Sequence, residues 1–208
     1  MTHYNVPLPI DALLNNKPND YISTCERTFR HHDVFLDGEI TEPPSYRELI
    51  SLLFNANAND TIIFFINSGG GNMDSALAII EALKHTPAVV TAIIVGACHS
   101  AASIISMYCD DVIVTESAYS MIHTASFGSS GNTGNVKAHT EFTVRQVEKL
   151  LNETYEGFLT KDELAKVKTG VELWFDSEEL RSRINNRVKY LKSKSKKEKV
   201  KQDLTKQD

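Results

Sequence analysis

Beyond residue 32 the chain alternates apolar runs with stretches whose apolar residues recur at helical spacing. Asp33–Leu36 is a short apolar run closed by Asp37-Gly38. Tyr46–Phe54 (YRELISLLF) carries apolar residues at helical intervals behind Pro43-Pro44-Ser45, a helix-start signal. Thr61–Ile66 (TIIFFI) is continuously β-branched and aromatic, which predicts a strand buried on both faces. SGGG follows, and in Asp74–Lys84 either Leu77, Ile80 and Leu83 or Ala76, Ile79 and Leu83 make a helical face. Val89–Val95 reads as a second buried strand, with GACHSAASIISMY as the next helix, and Val112–Thr115 and Ser120–His123 read as further short strands. Strands alternating with helices predict a mostly parallel sheet built from βαβ crossovers. A longer helix is predicted over Phe142–Phe158, where Val147, Leu150, Leu151, Thr154, Tyr155 and Phe158 form one stripe.

The length of 208 residues suits one substantial α/β domain with extensions. Residues 1–32 are polar and loop-like, with a turn expected at Asn15–Asp20, and read as an N-terminal extension to a domain over 33–190. Charge separates the other end. The net charge is −5, yet Arg187–Asp208 alone carries +6 and the remainder −11. Residues 191–208 therefore read as a solvated, disordered basic tail. The run interleaves no aromatic residue that could stack on bases, which argues against nucleic acid as a partner.

Cys25, Cys98 and Cys109 are odd in number and contain no CxxC pair. That argues for a reducing, cytoplasmic setting and against a disulfide framework or a zinc site. His85–Cys109 lacks Asp, Glu, Lys and Arg and is long enough to span a bilayer, but Pro87, Gly96, His99 and several Ser and Thr interrupt it. A buried strand, a turn and a buried helix explain the segment better, so no membrane is implied.

That segment holds the chemistry. In GACHSAASIIS (Gly96–Ser106) a cysteine, a histidine and three serines share an apolar neighbourhood. A serine hydroxyl becomes a nucleophile only where a base takes its proton and donors await the oxyanion. Such donors are free at a helix start that follows a buried strand. Ser100 lies at that junction. Ser103 and Ser106 sit one and two turns further on, where serines bond back to the main chain. On position alone Ser100 is the better candidate, with a small packing serine as the equal alternative. Cys98 is the second candidate nucleophile, although an inert buried thiol fits its place better. His99 is adjacent to Ser100 and points elsewhere on a helix, so it is a poor base. His123 ends a short strand before the loop TASFGSSGNTG, where catalytic groups commonly sit. SGGG lacks both the Lys-Ser/Thr of a phosphate loop and GxGxxG spacing. It suits a backbone that approaches a substrate closely.

These pieces, in this order, resemble the Clp protease proteolytic subunit and its phage-encoded relatives, over roughly Asp33–Val188. FLDGEI resembles the family's first strand and turn. INSGGG resembles its I-N-S-P-G-G, with Gly69 where proline is usual, and GACHS stands where the family has G-x-A-A-S. SMIH resembles V-M-I-H, and TGVELWFDSEEL resembles the segment carrying the family's third catalytic residue, with Glu172 where Asp is usual. The resemblance implies Ser100 as nucleophile, His123 as base and Glu172 as the carboxylate that fixes the His123 tautomer. Oxyanion donors would be the amides of Gly70 or Gly71 and of Ala101. It further implies a ClpP/crotonase-like α/β fold with a protruding handle helix, identified with Phe142–Phe158. The implied function is a serine endopeptidase acting on polypeptides in stacked homo-oligomeric rings, often heptameric, with no metal or organic cofactor. An unfoldase ATPase is the partner the family suggests, and the SAASII pattern leans towards the phage-type, head-maturation relatives. Two other readings stay open: a catalytically impaired ring or scaffold subunit, and a crotonase-like acyl-CoA enzyme.

Overall fold

The alternation seen in the sequence becomes one six-stranded sheet with helices packed mainly on one face. The structure is a computed structural model that describes the backbone of residues 28–204 and the side chains of residues 28–196. Cys25 and the turn expected at Asn15–Asp20 lie outside the described residues. The strands are β1 (His31–Leu36), β2 (Thr61–Ser68), β3 (Val89–His99), β4 (Asp111–Val114), β5 (Tyr119–Ile122) and β6 (Leu173–Phe175). Their order is β1-β2-β3-β5-β6, with β4 also paired to β3. All pairs are parallel except β5–β6. The helices are α1 (Arg47–Asn55), α2 (Met73–His85), α3 (Ala101–Ser106), α4 (Thr133–Thr154), α5 (Lys161–Lys168) and α6 (Ser177–Leu204), and a 3-10 turn at Pro43–Tyr46 leads into α1.

The apolar runs behave differently from the expectation of burial on both faces. In β2, Ile62, Phe64 and Ile66 are fully buried while Ile63 and Phe65 are only partly covered. In β3, Val90, Ala92 and Ile94 are buried, whereas Val89 and Val95 are exposed. Because side chains alternate across a strand, the register puts Phe35, Phe65, Ile93 and Ile113 on the same open face. Phe35 and Phe65 stack there with ring centroids 5.1 Å apart. The core lies on the other face, where Leu53 of α1, Ile79, Ile80 and Leu83 of α2, and Ile104 and Ile105 of α3 meet the inward strand residues.

Two element boundaries differ from the expected ones, each for a local reason. β3 continues through Gly96-Ala97-Cys98-His99, so the helix expected over GACHSAASIISMY shrinks to Ala101–Ser106. The extension is held by pairing with β5, Ala97 opposite Tyr119 and His99 opposite Met121. The helix expected from Phe142 instead begins at Thr133 and ends at Thr154. Asn132 caps it by accepting from the Asn135 amide at 3.0 Å, a start hidden in a segment whose glycines read as loop. α4 is about 33 Å long, and only Leu151 and Thr154 of it are buried, so most of it stands clear of the sheet.

α6 docks through Leu180 and Ile184, both buried, and through Arg181, whose Nε donates to the Val114 carbonyl at 3.0 Å. Its helical backbone runs to Leu204, through the basic stretch that composition reads as an unstructured tail. A docked helix extends at little cost through good helix formers such as Lys, Glu and Gln. Among the described residues no helix is long and apolar enough to cross a membrane.

Candidate active site

The predicted site residues converge at the carboxyl edge of the parallel strands, the edge where open α/β sheets bind ligands. β2 ends there in Ser68 and the glycine loop, β3 ends in His99 followed by Ser100, and β5 is followed by His123. β6 runs antiparallel, so Glu172, just before its first residue, reaches the same edge from the opposite direction.

A bulge re-aims the end of β3. Ile66 pairs with Ile94, but Ser68 pairs with Cys98, so β3 carries two residues more than β2 over that interval. The Asn67 side chain fills the irregularity by accepting from the Ala97 amide at 3.0 Å. The Asn67 side chain lies where a Cβ on residue 96 would sit, so a larger residue there would displace it from the bulge. Below the bulge, Ser120 Oγ donates to the Cys98 carbonyl at 2.7 Å, and the Ser100 amide donates to the Met121 carbonyl at 2.9 Å. The β3–β5 ladder thus continues to the turn itself.

Ser100 occupies that turn at φ 51° and ψ −122°, and among the described residues it alone has positive φ without being glycine. A side-chain-bearing residue pays for that conformation, and such strain gathers at functional turns. It lifts Ser100 out between a strand and a helix, the geometry of a nucleophile elbow. Its Oγ lies 2.7 Å from His123 Nε2. With the hydroxyl donating, the imidazole must carry its proton on Nδ1.

The glycine loop packs directly beneath the elbow. Gly70 has φ 91°, and a Cβ there would lie 2.7 Å from Ser100 Cβ, 2.7 Å from the His99 carbonyl oxygen and 3.0 Å from the Ala101 nitrogen. The Gly70 amide donates to Ser68 Oγ at 3.1 Å, so it is already occupied. The amides of Gly71 and Ala101 have no acceptor among the described residues. Ser68, unremarked in the sequence beyond its place in INSGGG, is what distinguishes the two glycine donors.

The competing side chains of GACHSAASIIS have structural partners. Ser103 Oγ lies 2.6 Å from Tyr155 Oη, and Ser106 Oγ donates to the Ser103 carbonyl at 2.8 Å, all within the core. Burial pushes the Cys98 thiol up to about 12, so it is protonated and unreactive at neutral pH. His99 does not reach Ser100 with its ring. Its imidazole points to the open sheet face, edge-on to Tyr119 (5.0 Å) and Trp174 (5.1 Å), with Nε2 buried and unpartnered. Burial, and secondarily the neighbouring His123 charge, hold His99 below the usual histidine range.

Glu172 is the one member not in contact. The β5–β6 pairs end at Ile122 with Leu173, and the same register continued by one residue sets His123 opposite Glu172, on the face that carries Met121 and Trp174. Its carboxylate, however, accepts from the Trp174 indole Nε1 at 3.3 Å, and no bond joins it to His123. No group of three or more His, Cys, Asp or Glu among the described residues could hold a metal ion.

Comparison with known proteins agrees with this architecture. The pattern of the Clp protease family matches residues 16–182. Three curated relatives all carry the name ATP-dependent Clp protease proteolytic subunit. That of Chlorokybus atmophyticus is 32% identical over 107 residues, 48% of this chain and 47% of that protein. That of Mesostigma viride is 31% identical over 107 residues, 48% of this chain and 46% of the relative. That of Chlorella vulgaris is 27% identical over 130 residues, 60% and 64%. The chain thus spans about half the length of the first two.

Proposed function

The chain belongs to the Clp protease family, and from that premise we propose that it is a serine endopeptidase working through an acyl-enzyme. The observation that carries the reading is Ser100, strained at φ 51° with its Oγ 2.7 Å from His123 Nε2. Ser100 Oγ attacks the scissile carbonyl carbon as its proton passes to His123 Nε2. The carbonyl oxygen becomes an oxyanion facing the free amides of Gly71 and Ala101. Collapse breaks the C–N bond, and the leaving amine takes the proton from His123. Water then repeats the sequence on the ester, with His123 again as base, and releases Ser100. Glu172 accepts from His123 Nδ1–H through Oε1, the carboxylate oxygen that has no partner among the described residues.

The open apolar sheet face supports the homo-oligomeric part of the reading. Phe35 is 63% exposed and Ile113 48% exposed on the same face, and contiguous apolar surface of this kind marks association. Stacked rings fed by an unfoldase ATPase are the corresponding assembly proposal.

A fluorophosphonate probe tests the chemistry, since Ser100 Oγ would displace fluoride from phosphorus. One label per chain is expected in the wild type and none in Ser100→Ala, alongside casein or peptide turnover. Labelling that persists in Ser100→Ala sinks the assignment. Native mass measurement tests the assembly, and a strict monomer counts against it. A catalytically impaired subunit is the second reading, favoured by the lack of a hydrogen bond between Glu172 and His123 among the described residues; an unlabelled wild type would select it.

A further inference from the structure

We propose that Trp174 is the positioning residue for Glu172: its indole N–H holds one carboxylate oxygen so that the other is presented to His123 across the β5–β6 pair. The inference rests on the Ser100–His123–Glu172 reading above.

Three observations converge on it. Trp174 and Glu172 are two residues apart on the entry to β6 and so share a face, and that face also carries His123 through the register. The indole Nε1 donates to Glu172 Oε2 at 3.3 Å, leaving Oε1 without a partner among the described residues. Trp174 is itself braced, because the His99 ring meets it edge-on at 5.1 Å and in turn meets Tyr119 at 5.0 Å. The chain has a single tryptophan, and it stands here, 56% exposed instead of in the core.

The physical need is specific to a glutamate. Compared with aspartate it has one more rotatable bond, so a carboxylate at a strand end samples more positions and spends less time on the imidazole. A donor fixed on the same strand narrows that set. The His99 ring, which does not reach Ser100, fills the angle between Tyr119 and Trp174 and so holds the indole over Glu172. The titratable groups at this end of the open face are His99, Tyr119, His123 and Glu172.

The test is a two-by-two comparison of fluorophosphonate labelling rates from pH 5 to pH 9 in the wild type, Trp174→Phe, Glu172→Asp and the double variant. Trp174→Phe keeps a ring but removes the N–H, and the exposed position leaves the fold intact, which a circular-dichroism melt checks. Loss of one such hydrogen bond predicts a labelling rate about fivefold lower at the plateau. The shape of the pH–rate profile should change as well, whereas a merely structural defect would lower the rate equally at every pH. In the Glu172→Asp background the shorter carboxylate retreats beyond reach of the indole, so adding Trp174→Phe should change the rate by less than about twofold. Equal penalties in both backgrounds, a rate loss that is the same at every pH, or no effect of Trp174→Phe would each overturn the proposal. Labelling that survives Ser100→Ala instead overturns the serine reading itself, and this inference falls with it.

Discussion

Replacing Gly70 by alanine should disable the site while leaving most of the fold standing. Two costs add. At φ 91° an alanine loses about 1–2 kcal/mol relative to glycine, from contact between its Cβ and the backbone. The same Cβ would stand 2.7 Å from both Ser100 Cβ and the His99 carbonyl oxygen, well inside van der Waals contact. Overpacking of that kind costs about 1–3 kcal/mol. The backbone atoms on the other side belong to the bulge and the β3–β5 ladder, so the strained Ser100 turn is the part free to give way. A total loss of about 2–5 kcal/mol is expected if the turn holds its place. If it moves by about 1 Å, reactivity falls on the order of 100-fold. Urea denaturation measures the first quantity and the rate of fluorophosphonate labelling the second. Gly69→Ala is the control: no atom lies within 4 Å of a Cβ there, and its φ is not left-handed. It should stay within about 0.5 kcal/mol of the wild type and label at the same rate. A Gly70→Ala protein as stable and as reactive as Gly69→Ala would refute the packing of loop against elbow.

Other expectations follow from polar contacts away from the nucleophile. Ser103→Ala strands the buried Tyr155 hydroxyl and should cost about 1–3 kcal/mol in urea denaturation. Labelling of Ser100 should be unchanged, and adding Tyr155→Phe should recover part of the loss; slowed labelling would mean that Ser103 takes part in the chemistry. Glu163 receives two hydrogen bonds from the Arg183 guanidinium (2.7 and 3.0 Å), which hold its carboxyl down to about 2. Because the folded value lies below the unfolded one, its contribution is complete above the ordinary carboxylate range and is lost as pH falls towards 2. Glu163→Gln should cost about 1 kcal/mol at neutral pH, a figure discounted for partial solvent exposure. It should also flatten the slope of stability against pH between about 4.5 and 2; an unchanged slope would refute the pairing.

Much of the architecture was written in local pattern. The βαβ alternation, the approximate ends of β1, β2, α1 and α2, and the strand before His123 all follow from apolar spacing and turn residues. Ser100 and His123 were legible as a strand-to-helix junction and a strand end, and the resemblance of GACHS and SMIH paired them. Ser103, Ser106 and Cys98 could be set aside from their depth in an apolar segment, and the core contacts of all three agree.

Tertiary pairing decided what local pattern could not express. A continuous apolar run such as TIIFFI reads the same whether one or both faces are covered, because periodicity reports hydrophobicity and not the neighbour that buries it. Only the packing shows that helices take one face and leave Phe35 and Ile113 open on the other. The extension of β3 through His99 depends on hydrogen bonds to β5, twenty-two residues further along in the Cys98–Ser120 pair. The engagement of the Gly70 amide depends on the orientation of Ser68, and the place of the Glu172 carboxylate on an indole two residues away. Spacing along the chain named the reactive groups; which atoms meet was set by strand register and side-chain rotamer, and those exist only once distant segments have paired.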